Sequence, residues 1–155
     1  MAVISGKRND PYRNFKFRVK IPGFQHLGFQ KVSGLKEETT VTEYREGGDL
    51  ATPRKLPAQS KFDNIVFERG MSTSTDFKSW RAELFNPDGA PIFLDDDIRR
   101  TVTIELLDRT GVLVKAWEVY SAWPCIMEIG DLDAGSDDVL IEKLELTNEG
   151  HIQIV

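Results

Sequence analysis

The chain has 155 residues, is 40% hydrophobic and 29% charged, and carries a formal net charge of −5. That length suits one domain with a single core. The acidic balance, with no basic cluster interleaved with aromatics, argues against a nucleic-acid-reading surface; no apolar run approaches the ~20 residues of a membrane-spanning helix; and the lone Cys125 excludes an intrachain disulfide.

The opening residues contain no apolar h-region, so the sequence predicts synthesis in a reducing cytoplasm without a signal peptide. Met1–Arg13 reads as a polar arm with no core of its own. Asn14–Ile21 alternates, with Phe15, Phe17, Val19 and Ile21 on one side and Lys16, Arg18 and Lys20 on the other, which predicts a strand with one buried face. Pro22 and Gly23 end it, and Phe24–Val32 resumes as a second strand with Gly28 as a bulge or close approach. Ser33 and Gly34 break the chain again.

Lys36–Arg45 (KEETTVTEYR) is rich in residues that favour a pleated, half-exposed strand. Lys61–Glu68 (KFDNIVFE) reads as its antiparallel partner. Between them, Glu46–Ser60 carries Gly47, Gly48, Pro53 and Pro57, which end strands and forbid a long helix. The expectation is an extended loop over residues 46–60. A connection of that length without structure of its own is uncommon in a compact domain unless it has a task. Its expected task is contact with another subunit, through Gly47, Gly48, Asp49, Leu50, Pro53, Arg54, Lys55, Leu56 and Pro57.

Met71–Phe85 is the predicted helix. Phe77, Trp80 and Leu84 make one apolar stripe, Ser72 to Thr75 offer capping oxygens, and Asp76 suits the positive end of the helix dipole. Asn86–Gly89 stops it. Ile98–Leu107 and Val112–Ser121 read as strands joined by a turn at Asp108–Gly111. Trp123 and Pro124 mark a corner, followed by a short strand at Cys125–Ile129, an acidic loop at Gly130–Asp138, a strand at Val139–Leu146 and a last edge at His151–Val155. About eight strands and one helix predict a mainly β fold, an antiparallel sandwich or barrel with one flanking α-helix, in a single domain over residues 1–155.

Little in the chain suggests chemistry. His26 and His151 lie far apart in sequence. Cys125 follows a Trp-Pro corner in an apolar run, the setting of an inert, buried thiol. One Cys and two scattered His make no zinc pattern. The aspartates at 95–97 and at Asp131, Asp133, Asp137 and Asp138 lack EF-hand spacing. Gly47 and Gly48 are not followed by the Lys-Ser/Thr pair of a phosphate loop. No catalytic residue, cofactor or metal site is expected.

The order VSGLKEETTVTEYREGG, NIVFERG, AWP and IEKLELTNEG resembles the tube protein of contractile bacteriophage tails. The same family forms the inner tube of R-type bacteriocins and of extracellular contractile injection systems, and type VI secretion has a more distant relative. The resemblance spans about Asp10 to Ile152. It implies a structural protein: hexameric rings stacked into a hollow tube that carries DNA or protein cargo. A sheath surrounds the tube, and baseplate and terminator proteins close its ends. A water-filled lumen needs a polar sheet face, and the expected lumen residues are Glu38, Thr40, Thr42, Asn64 and Glu68, with Val41 turned to the core. Negative charge there would repel DNA phosphates. Arg54, Lys55 and Lys61 would meet acidic surface on the next ring. Two alternatives remain at this level: a baseplate tube-initiator of the same fold, and a soluble β-barrel that binds a small ligand in an apolar pocket.

Overall fold

The computed structural model describes residues 16–24, 28–48, 51–71, 75–84, 98–135 and 137–155. Among them are nine strands and one helix: β1 (Phe17–Lys20), β2 (Lys31–Ser33), β3 (Glu37–Tyr44), β4 (Arg54–Phe62), β5 (Ile65–Gly70), α1 (Asp76–Ala82), β6 (Arg100–Leu107), β7 (Leu113–Ile129), β8 (Ile141–Thr147) and β9 (Gly150–Gln153). All pairings are antiparallel.

The body is built around β7. Its first half pairs with β6 and β9, its second half with β8. One layer is therefore β1-β6-β7-β9 and the other β7-β8-β5-β2. Strands that change sheet need a bend or bulge. β7 has both: Ser121 takes a positive φ of 51°, and the register shifts between Pro124 and Ile126. The expected break at Trp123-Pro124 is thus a bend within one strand of 17 residues, because Pro124 sits where the ladder is already interrupted.

Alternation selects the core. On β5 and β8, Ile65 faces Leu146 and Phe67 faces Leu144, all buried. From the other layer come Val19, Val102, Ile104, Val119 and Ala122. Helix α1 covers one end with Phe77 and Trp80. Phe29 packs between Phe67 and Phe77 at centroid distances of 5.1 and 5.5 Å. The Trp80 indole N–H donates to the Ile98 carbonyl at 2.8 Å, so the buried ring leaves no donor unpaired.

Other expectations shift in detail. The strand expected over Phe24–Val32 is confined to Lys31–Ser33, while residues 25–27 lie outside the described set. The helix starts at Asp76, and its N-cap Thr75 makes no side-chain capping bond; Ser72–Ser74 and Asn86–Gly89 lie outside the described residues, as do Met1–Phe15 and Asp95–Asp97. The turn at Asp108–Gly111 forms as expected. Asp108 Oδ1 accepts from the Thr110 N–H at 2.8 Å, its hydroxyl at 2.7 Å and the Val112 N–H at 3.0 Å, and these bonds, the Thr110 hydroxyl foremost, hold its carboxyl below the usual range.

Candidate assembly surface

The segment expected to be a loop is largely a strand. β4 runs from Arg54 to Phe62 and pairs with β3 in a two-stranded sheet of its own, so the connection shrinks to residues 45–53. Arg54, Lys55, Leu56 and Pro57 are strand residues, opposite Tyr44, Glu43, Thr42 and Val41. Pro57 is tolerated because the register shifts between Thr39 and Val41 and the ribbon has a free edge. Gly47 and Gly48 lie in the turn, Gly48 with φ 96°; Pro53 precedes β4; Asp49 and Leu50 lie outside the described residues.

The ribbon is exposed on both faces. Every residue of β3 and all of β4 except Phe62 is exposed. Val41 is 56% exposed and Leu56 50%, so Val41 does not enter the core. These two apolar side chains lie on opposite faces, Val41 with Pro57 and Thr42 with Leu56. A lone two-stranded ribbon is at best marginally stable in water. Besides the ladder, its side-chain ties include the Thr39–Ser60 hydroxyl pair at 2.9 Å, Lys61 at 3.9 Å from Glu38, and Tyr44 donating to Glu46 at 2.9 Å, which raises the Tyr44 phenol.

The ribbon joins the body at a narrow foot. Gly34 has φ 97°, and a Cβ there would collide with the Asn64 carbonyl oxygen, so the two ends of the hairpin pass in contact. Asp63 and Asn64 split the expected Lys61–Glu68 strand into β4 and β5. Asn148 donates to the Asp63 carbonyl at 3.0 Å, and Asn64 donates to Glu145 at 3.0 Å, so both are held by the body rather than by a ladder.

Of the expected lumen residues, Glu38, Thr40 and Thr42 do share one face of β3, by the two-residue period of a strand. Asn64 lies in the junction. Glu68 lies on β5 in the other sheet, paired with Lys143 at 3.3 Å. The five side chains therefore occupy three places and do not form one face of one sheet. Glu38 lies near Lys36 and Lys61, at 3.7 and 3.9 Å.

Among the described residues the groups weighed for chemistry do not converge. Cys125 donates to the Glu145 carbonyl at 3.3 Å, and burial, then the nearby Glu145 charge, raises its thiol. His151 instead packs on Phe62 and approaches Glu37. His26 lies outside the described residues. Among the described residues no cluster of His, Cys, Asp or Glu is placed to hold a metal, and no helix is long and apolar enough to cross a membrane. A mainly apolar cleft between the layers, lined by Phe17, Val32, Leu35, Ile104, Leu106 and Trp117 with Gln30 and Lys31, holds about 250 Å³. That is less than the ~300 Å³ at which small-molecule pockets begin. A larger, open groove of about 800 Å³ runs beside β1, lined by both polar and apolar side chains, among them Arg18, Lys20, Ile21, Phe24, Thr101 and Thr103.

Two relations escaped sequence reading. Arg69 and Glu142 form a buried ion pair at 2.9 Å, and the Arg69 guanidinium lies 3.9 Å over the Phe77 ring. Charges at inward positions of alternating strands were the available signal. The contact of His151 with the ribbon had none.

Comparison with known proteins points one way. The model of the family of the T4-like virus tail tube protein gp19 matches residues 13–151. Among solved structures, a chain of the anti-feeding prophage (AFP) baseplate, 6-fold symmetrised, is 27% identical, with 95% of this chain and 97% of that chain covered and a TM-score of 0.76. A chain of the sheath-tube complex of an extracellular contractile injection system, PVC, in its extended state is 26% identical over 92% and 90%, with a TM-score of 0.76. A chain of the PVC sheath/tube terminator is 25% identical over 95% and 99%, with a TM-score of 0.78. No curated protein matches at a significant level.

Proposed function

The chain belongs to the family of the T4-like virus tail tube protein gp19, and from that premise we propose that it builds the inner tube of a contractile tail or injection particle as stacked hexameric rings. It is a tube subunit whose work is assembly and rigidity, without turnover. The observation that carries the reading is the β3–β4 ribbon, a separate two-stranded sheet exposed on both faces and, among the described residues, joined to the body at its foot. Such a ribbon gains its missing contacts from neighbouring subunits, and closure of rings removes free strand edges. Similarity to chains of a 6-fold baseplate and a sheath-tube complex supports six-membered rings within a sheath. Gly47, Gly48, Asp49, Leu50, Pro53, Arg54, Lys55, Leu56 and Pro57 contact the neighbour. Glu38, Thr40 and Thr42 line the lumen, and Asn64 and Glu68 border it. DNA or protein passes through. Synthesis is cytoplasmic, and assembly is into the particle.

The test is to replace residues 41–57 by a short Gly-Ser turn. The expected product is a folded body that stays monomeric or stops at single rings. Long, regular tubes from this chain would overturn the reading. Likeness to the baseplate chain supports a second role, as the ring that initiates the tube. Electron microscopy separates the two: the tube subunit polymerises to long tubes alone, the initiator stops at one ring.

A further inference from the structure

We propose that His151 is a positioning residue for assembly: its ring on β9 fixes the direction in which the β3–β4 ribbon leaves the body. This rests on the ribbon being the inter-subunit element. The imidazole touches both strands of the ribbon at one rung. Its ring lies 5.1 Å from that of Phe62 in an edge-on arrangement at 72°, and its Nε2 is 3.7 Å from Glu37 Oε1. Glu37 and Phe62 are register partners at the base of the ribbon. His151 itself is anchored by the ladder to β7, opposite Val119, with its side chain 4% exposed.

Packing rather than polar bonding holds this contact. The Glu37 carboxylate is 68% exposed and beyond hydrogen-bond range, so its attraction is screened. His151 Nδ1 is buried and makes no hydrogen bond. Gly150 completes the seat: its φ of 147° favours glycine, and an added Cβ would lie 3.4 Å from the Phe62 ring.

The lever arm gives the contact its importance. Over the eight residues of β3, a rise of about 3.3 Å each makes an arm of about 26 Å, so a tilt of about 10° at the foot moves the tip by about 4.5 Å, close to the spacing between neighbouring strands. A ribbon that swings this far misses its register on the next subunit.

The experiment compares four full-length chains: the parent, His151→Ala, Phe62→Ala and His151→Phe. Each is measured for subunit folding by circular dichroism, for the concentration at which tubes form, and for tube geometry by electron microscopy. The two alanine variants are expected to fold and to need roughly tenfold more protein to assemble, or to give irregular tubes, while His151→Phe, which keeps the ring, assembles like the parent. If His151→Ala does not fold, Phe62→Ala carries the test, since its ring is only half-buried. Parental assembly by a folded alanine variant, or failure of folded His151→Phe, overturns the positioning role. The chain with residues 41–57 replaced distinguishes the two claims: tubes from that chain sink the ribbon reading itself, whatever His151 does.

Discussion

Arg69 and Glu142 sit side by side on β5 and β8, with side chains about 6% exposed. A charge left alone in such a place is costly, because water no longer solvates it. Arg69→Ala is expected to destabilise the subunit by about 3–5 kcal/mol, read from denaturant midpoints, and a change below about 1 kcal/mol would show that water reaches the site. Glu105 gives a second test, through pH. Burial raises its carboxyl, but hydrogen bonds and charge from Lys20 at 3.0 Å and Arg18 at 2.7 Å outweigh that and hold it below its ordinary value of 4.5. A carboxyl lowered on folding stabilises the folded state fully above its unfolded value and loses that contribution as pH falls through its folded value. Glu105→Gln is therefore expected to lower the melting temperature at neutral pH, with the difference from the parent shrinking below about pH 4.5. A gap that persists unchanged at pH 3 would mean that packing, not charge, holds the residue.

At the scale of the element, the two candidate lumen carboxylates part company. Glu38 is half-exposed on a ribbon that packs on no core. Glu38→Lys is expected to leave subunit stability within about 1 kcal/mol and to alter retention of charged cargo. Glu68 instead stands between Lys31 on β2 and Lys143 on β8 in the ladder. Glu68→Lys would set three lysines on adjacent strands, and is expected to cost about 1–2 kcal/mol through two like-charge pairs. Equal melting temperatures for the two variants would count against this division. The pairing was not legible locally. The pattern of β5 shows Glu68 facing away from the core, but which charges flank it depends on strands 37 and 75 residues distant, counting from Lys31 to Glu68 and from Glu68 to Lys143.

For the whole molecule, assembly and stability are linked, because anything that binds only the folded state stabilises it. The parent's melting temperature is expected to rise with protein concentration, and the chain with residues 41–57 replaced to show a smaller rise, or none where it stays monomeric. A concentration-independent transition for the parent would contradict a tube subunit. The sequence by itself determined the elements that carry a buried face: the alternation in β1, β6 and β8, the Phe77–Trp80 stripe of α1, the turn at Asp108–Gly111, and the order of motifs that resembles tail tube proteins. Each is written in a short window, since burial imposes a period of two or 3.6 on neighbouring residues. Only the tertiary structure decided that Arg54–Phe62 is a strand, that β7 runs unbroken through both sheets, that Arg69 meets Glu142, and that His151 sits at the ribbon's foot. β4 has no core face, so nothing in its own window marks it; β3 pairs it from a distance. Glu142 lies 73 residues from Arg69, and contacts at that range follow from register between strands, which local pattern does not encode.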